Sequence, residues 1–223
     1  MQYSRPFIRK MSSTIKIDIV SDTICPWCFV GKRRLEKAIK NYQTVNPGAK
    51  FDINWYPFEL DPTLTREPVS KVERYASKFG AARSKQIIEH MKSIGKEEGI
   101  NFDYGGVTAS TIDSHRLVEW AKEQGKQDEV IEELFKLYFE ETGNIGDLEQ
   151  LAGVAERIGL SKENALEYLK SDKGVKSVKE KIYKSQVEGI NGVPNFTIQD
   201  KYTFSGAQPP EAFFNVFQKA ASG

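Results

Sequence analysis

The sequence predicts an α/β fold interrupted by a large all-helical insertion, and three observations carry that prediction. Alternating apolar residues mark two strands on either side of a helix within the first sixty residues. The middle third reads as one helix after another. Past residue 190 the pattern returns to short β-rich runs and closes on a last helix. The predicted order is therefore β-α-β, a helical block, then α-β-β-α, with no internal repeat at a fixed period.

Ile15, Ile17 and Ile19 alternate with Lys16, Asp18 and Val20, the period-two pattern of a strand that ends at Ser21-Asp22. From Pro26 onward, Phe29, Leu35, Ala38, Ile39 and Tyr42 follow helical spacing, and Asn46-Pro47-Gly48 stops the helix. Proline is tolerated at the first helical position because the N–H it lacks would be unpaired there. Phe51, Ile53 and Trp55 share one face of a second strand. It runs into the proline-bounded segment Tyr56-Pro57-Phe58-Glu59-Leu60-Asp61-Pro62, which should be loop.

Helices are predicted over 69–79, 81–98, 111–123, 127–140, 147–158, 161–169 and 175–188, punctuated by Gly80, Gly99, Gly105-Gly106, Gly125, Gly143 and Gly159. Ser161 offers a hydroxyl cap, and Asp147 opens a run whose apolar positions Leu148, Leu151 and Ala155 recur at three and four residues. Lys179, Lys181 and Lys184 read as a solvated face. Runs at 195–198 and 202–205, split by Gln199-Asp200-Lys201, form a hairpin, and the last helix begins near Pro210 with Phe213, Phe214 and Phe217.

In the 223 residues, 32 Lys+Arg balance 31 Asp+Glu, so the basic footprint of a nucleic-acid or membrane-surface binder is absent. With 39% hydrophobic and 11% aromatic residues the chain can bury a substantial core, as one large domain or one domain with a big insertion. No apolar run approaches the roughly 20 residues of a membrane span. The basic residues Arg5, Arg9, Lys10 and Lys16, with no acid before Asp18, fit an N-terminal tail over 1–14 or a weak organelle-targeting leader. The expected location is cytoplasmic, with the mitochondrion as alternative, and Met11 is an alternative start.

Cys25 and Cys28 are the two cysteines, so no disulfide framework holds the core. Cys25-Pro26-Trp27-Cys28 stands between a strand and a helix. That position sets the first sulfur beside unpaired backbone N–H groups at the positive end of the helix dipole, which favours a thiolate. Cys28 follows at same-face spacing and can attack a mixed disulfide formed by Cys25, giving two-step dithiol exchange. Trp27 supplies apolar surface and a neutral donor, so the couple should be less oxidising than one with a cationic His there. Half a zinc site is the competing reading. Zinc needs four ligands, and His90 and His115 lie far away in predicted helices, so no metal is expected. Gly192-Val193-Pro194 precedes a strand; a cis X-Pro bond there would free the Val193 N–H and C=O to pair with an extended substrate.

Taken with Ser21-Asp22-Thr23-Ile24 before the cysteines, Pro57-Phe58-Glu59-Leu60-Asp61-Pro62, Phe102-Asp103-Tyr104-Gly105-Gly106, Ser114-His115-Arg116-Leu117 and Ser205-Gly206-Ala207-Gln208, these motifs resemble the thioredoxin superfamily. Within it the chain is similar to the DsbA-like group, closest to FrnE-type dithiol oxidoreductases and related to kappa-class glutathione transferases and 2-hydroxychromene-2-carboxylate isomerases. The resemblance extends from about residue 15 to the C-terminus. It implies a thioredoxin fold built from 15–62 and 173–223, with 63–172 inserted as a helical lid. It also implies Cys25 as nucleophile, Cys28 as resolving thiol and Pro194 as the facing cis-proline. Kappa-class and isomerase relatives carry Ser in place of Cys25, and Gly206-Ala207-Gln208 stands where the kappa-class glutathione-binding acid would be. Both departures favour dithiol exchange.

The expected function is thus a thiol–disulfide oxidoreductase acting on protein or small-molecule thiols or disulfides. Pro26, Trp27, Val193 and Pro194 would contact substrate. No cofactor is required, glutathione being a candidate reductant or mixed-disulfide partner, and a homodimer is left open. Glu59 is a candidate proton carrier and His115 a candidate donor, each weighed against a plain structural role. Lys32 and Arg33 should point to solvent, and Trp55, Phe58, Phe102 and Tyr104 are candidates to line a cleft under the lid. The alternatives are a glutathione-dependent transferase or isomerase of a small aromatic molecule, and a chaperone-like module with a redox switch.

Overall fold

The computed structural model describes residues 14–222, so the tail, leader and Met11 readings fall outside the described residues except at Thr14. Strand β1 (Ile15–Ser21) leads into helix α1 (Pro26–Val45) and back into β2 (Phe51–Pro57), the parallel partner of β1 with Ile15 opposite Phe51 and Ser21 opposite Pro57. Pairing carries β2 through Tyr56 and Pro57, two residues past the expected start of the loop.

The next segment opens on a two-residue ladder, β3 (Val69–Ser70) against β4 (Val107–Thr108), which periodicity cannot reveal at that length. It shortens the first predicted helix to α2 (Lys71–Phe79), capped by Ser70, whose hydroxyl accepts from the Glu73 N–H. Helices α3 (Ala81–Glu98), α4 (Ile112–Lys122), α5 (Gln127–Phe139), α6 (Leu148–Arg157), α7 (Lys162–Lys170) and α8 (Val175–Val187) follow. Asp147 caps α6 through the Glu149 and Gln150 N–H groups, and Ser161 caps α7 through Asn164, as their residue types require.

Antiparallel β5 (Asn195–Ile198) and β6 (Tyr202–Ser205) complete a sheet of order β2-β1-β5-β6, and α9 (Pro210–Ser222) closes the chain. Gln199 and Asp200 both take left-handed backbone in the hairpin turn, at φ of 53° and 54°. Phe213 and Phe217 of α9 are fully buried; Phe213 meets Phe196 edge-on at 4.9 Å, and Phe217 meets Tyr42 of α1 at 5.6 Å. On the other side of α1, Phe29 stacks on Phe135 of α5 at 5.0 Å, fixing the helical segment to the sheet half.

Strand β2 is a sheet edge, and its open backbone is closed by one side chain. The Gln127 amide of α5 accepts from the Trp55 N–H and donates to the Trp55 C=O, both at 3.0 Å. Among the described residues no helix is long and apolar enough to cross a membrane.

Candidate active site

The end of β1 delivers the cysteines. After Ser21 the chain turns so that the Cys25 N–H bonds to the Asp22 carbonyl at 3.0 Å, and Cys25 becomes the N-cap of α1 with Pro26 in the first turn. Both thiols are free; Cys25 is 4% exposed and Cys28 is fully buried. Across from them the Val193–Pro194 bond is cis, and the Cys25 thiol donates to the Val193 carbonyl at 3.6 Å. Gly31 permits this close seating of α1. A Cβ there would lie 3.1 Å from both Pro194 Cγ and Phe196 Cζ.

Burial pushes the Cys28 thiol well above its ordinary value, and the hydrogen bond and charge of Cys25 push the same way, against smaller opposition from the Ser21 side chain and the Asp22 backbone. The second sulfur is therefore held protonated. The Asp22 backbone reaches this thiol, and the Asp22 side chain is wholly buried. Its Oδ2 accepts from the Leu60 N–H at 2.7 Å, while Oδ1 has no hydrogen bond and faces His115 Nε2 at 3.4 Å. That same nitrogen bonds the Phe58 carbonyl at 2.9 Å. Through a proton on Nε2 the ring donates to the Phe58 carbonyl. Glu59 completes the group: burial, then the charge of Asp22, raise its carboxyl, with His115 and Lys179 opposing.

In front of Cys25 lies a cavity of about 430 Å³, enclosed by α2 and α3 on the far side. Its walls include Ile24, Leu64, Ile87 and Met91, and its rim carries Trp27, 37% exposed, and Phe79. His90 of α3 packs against Trp27 with ring centroids 6.4 Å apart. Tyr75 and Tyr138 also line it; burial raises both phenols, and for Tyr75 the charge of Cys25 adds to the effect.

Several expectations are corrected here. Lys32 is buried and turned from solvent to Glu36, Asp128 and Glu132, and Arg33 pairs with Glu132 while lying 4.7 Å over the Phe29 ring. Their carboxylate partners sit on α1 itself and on α5, which draws both cations off the solvent face. Trp55, Phe58, Phe102 and Tyr104 are buried and none lines the cavity: Trp55 packs on Phe135 and donates to Asp128, and Phe102 packs on Phe29 and Phe139. The aromatic cavity residues come instead from Trp27, from α2 (Tyr75, Phe79), from α3 (His90) and from α5 (Tyr138). Of the residues singled out in sequence, Cys25, Cys28, Pro26, Trp27, Val193 and Pro194 converge on one place, with Glu59 and His115 grouped around Asp22 behind it. Asp22, Tyr75, Lys78, His90 and Arg74 were missed as site residues. An acid at the buried end of an apolar strand was the one signal available, and it pointed to Asp22. Among the described residues no group of three His, Cys, Asp or Glu side chains is arranged to hold a metal ion.

The profile of the DSBA-like thioredoxin domain family matches residues 16–218, nearly the whole chain. The chain belongs to the DsbA-like thioredoxin family. The uncharacterised protein YwbO of Bacillus subtilis is 32% identical over 214 residues, spanning 94% of this chain and 96% of its own. A solved probable DsbA oxidoreductase from Streptomyces coelicolor is 27% identical with a TM-score of 0.84, covering 93% of this chain and 90% of that one. The cytosolic disulfide reductase DsbM from Pseudomonas aeruginosa, solved with glutathione, shares the fold at a TM-score of 0.60 and 15% identity, over 93% of this chain and all of that one. The fold is thus shared with these proteins.

Proposed function

We propose that this DsbA-like protein is a thiol–disulfide oxidoreductase in which Cys25 forms a mixed disulfide and Cys28 resolves it. The observation that carries this reading is the contrast between the two sulfurs: Cys25 caps a helix and forms a wall of the cavity, whereas Cys28 is fully buried with its proton held on. The Cys25 thiolate attacks a disulfide RS–SR, the S–S bond breaks, and RS⁻ leaves and is protonated. Cys28 then gives up its proton and attacks Cys25 Sγ, the second RS⁻ departs, and the protein is oxidised by two electrons to the Cys25–Cys28 disulfide. The same steps run backwards to oxidise a dithiol.

The proton of Cys28 needs an acceptor, and we assign that part to Asp22, whose backbone reaches the thiol and whose buried carboxylate has Glu59 and His115 around it. Residues 63–172 would serve as a lid whose α2 and α3 cover the sulfur, on a thioredoxin-like domain made of 15–62 and 173–223. Glutathione is a reductant consistent with this scheme, and the glutathione carried by DsbM supports considering it. The step order is tested by trapping. Cys28→Ser should accumulate a mixed disulfide on Cys25 that intact-mass measurement detects, and Cys25→Ser should abolish exchange. A fully active Cys28→Ser variant would remove the resolving role.

A further inference from the structure

We infer that the exchange site is built for small organic disulfides that join an apolar, ring-sized body to an anionic group, bound in the cavity between Cys25 and the α2–α3 pair; this rests on the oxidoreductase reading and deepens it. At about 430 Å³ the cavity falls in the roughly 300–1,000 Å³ range of small-molecule sites. Ile24, Leu64, Ile87, Met91 and Val193 make most of its walls, with polar groups only at Thr108, His90, Tyr75 and Tyr138 besides the charged rim, so a polar body would lose hydration there with little replacement. Cys25 is 4% exposed and forms part of the lining of this space.

The charges at the cavity are unbalanced. Asp61 is buried and already satisfied: Arg74 Nε reaches its Oδ2 at 2.9 Å and Arg74 Nη2 its Oδ1 at 2.7 Å, and the Thr63 hydroxyl donates to Oδ1 at 2.6 Å. Lys78, one turn after Arg74 on α2, has its ammonium 3.9 Å from Asp61 Oδ2, beyond hydrogen-bonding distance. Two cations thus meet one carboxylate, and the Lys78 ammonium has donors left for a ligand. An anion at the mouth meets the Lys78 ammonium, whose side chain is 44% exposed, with apolar walls on its inner side. A neutral ligand would leave that attraction unused.

The test is single-turnover stopped-flow oxidation of the reduced, full-length protein by the dianionic 5,5′-dithiobis(2-nitrobenzoate) and by the neutral 4,4′-dithiodipyridine. In each case two protein thiols become one disulfide and the probe becomes two thiols. The ratio of the two rate constants cancels the intrinsic reactivity of the probes when variants are compared. Lys78→Gln should lower the anionic-to-neutral ratio about fivefold to tenfold, and Lys78→Arg should retain it. Lys176→Gln, which removes the same charge from an exposed site on α8, should not move it. Ile87→Trp, which fills the cavity, should slow both probes at least fivefold with its circular dichroism unchanged. A ratio unaffected by Lys78→Gln, or moved equally by Lys176→Gln, overturns the anionic preference. Unchanged rates in Ile87→Trp overturn the cavity as the binding place. Failure of both probes to form the Cys25–Cys28 disulfide in the wild type overturns the oxidoreductase reading itself.

Discussion

Asp22 is the residue whose position most constrains the chemistry. A wholly buried carboxylate with one oxygen lacking a hydrogen bond is costly to keep, and it belongs to the residue whose backbone reaches the Cys28 thiol. Asp22→Asn should therefore slow release of the mixed disulfide by roughly a hundredfold near pH 7, with the loss shrinking at high pH where hydroxide substitutes for the base. Stopped-flow release kinetics across pH would check it. A second buried group with no carboxylate bonded to it is Lys71, whose ammonium bonds the Tyr138 carbonyl and lies 3.8 Å from that ring's centre. Burial pushes it down to about 8, with Asp103 opposing. Between pH 8 and the ordinary 10.5 the unfolded chain then holds a proton that the folded chain lacks. This group's contribution to stability must rise with pH across that window. Urea unfolding should show wild type gaining on Lys71→Met by roughly 1–3 kcal/mol from pH 7.5 to pH 10.5. The pair Cys25 and Cys28 was legible from spacing, whereas Pro194 stood out only in combination with that pair and the order of elements. Lys71 was not legible, because its environment is assembled from α5, almost seventy residues away.

At the scale of elements, the site depends on how closely α1 approaches the strand that follows Pro194. Gly31 sets that distance, with Pro194 and Phe196 both 3.1 Å from where a Cβ would stand. Gly31→Val should cost about 1–3 kcal/mol through overpacking and should weaken the contact between Cys25 and Val193. Thermal unfolding and the alkylation rate of Cys25 report the two effects separately. Helices and strands with strong periodicity were readable: α6 and α7 begin where Asp147 and Ser161 cap them. The β3–β4 ladder was not, since two residues carry no period. Nor could the sequence say which aromatics line the cavity. Trp55, Phe102 and Tyr104 obey the same apolar pattern as Tyr75 and Phe79, and the partner element decides which face is open.

Across the whole molecule, the helical segment and the sheet half are joined by aromatic packing at Phe29 and by ion pairs between α1 and α5. Arg33 grips Glu132 with bonds of 2.8 and 2.5 Å. Burial alone would raise that carboxyl, but the Arg33 hydrogen bonds and the Lys32 and Arg33 charges outweigh it and hold the group at about 2. A folded value below the ordinary 4.5 contributes stability above that pH and loses it as pH falls toward 2. Acid unfolding of Glu132→Gln should lack this component and show a shallower loss between pH 4.5 and pH 2. The change from alternating to helical periodicity near residue 60, and back near residue 190, was legible in the sequence. The joint was not, because Lys32 and Arg33 read as solvent-facing until α5 is placed beside them.

The central claim, that Cys25 and Cys28 cycle as one redox couple, is tested most directly by a titration of the full-length protein in glutathione buffers of graded potential, followed by thiol alkylation and intact mass. A single midpoint is predicted, interconverting dithiol and intramolecular disulfide reversibly, with the disulfide absent in both Cys25→Ser and Cys28→Ser. Wild-type protein that forms no intramolecular disulfide and instead holds a stable glutathione adduct on Cys25 would contradict it.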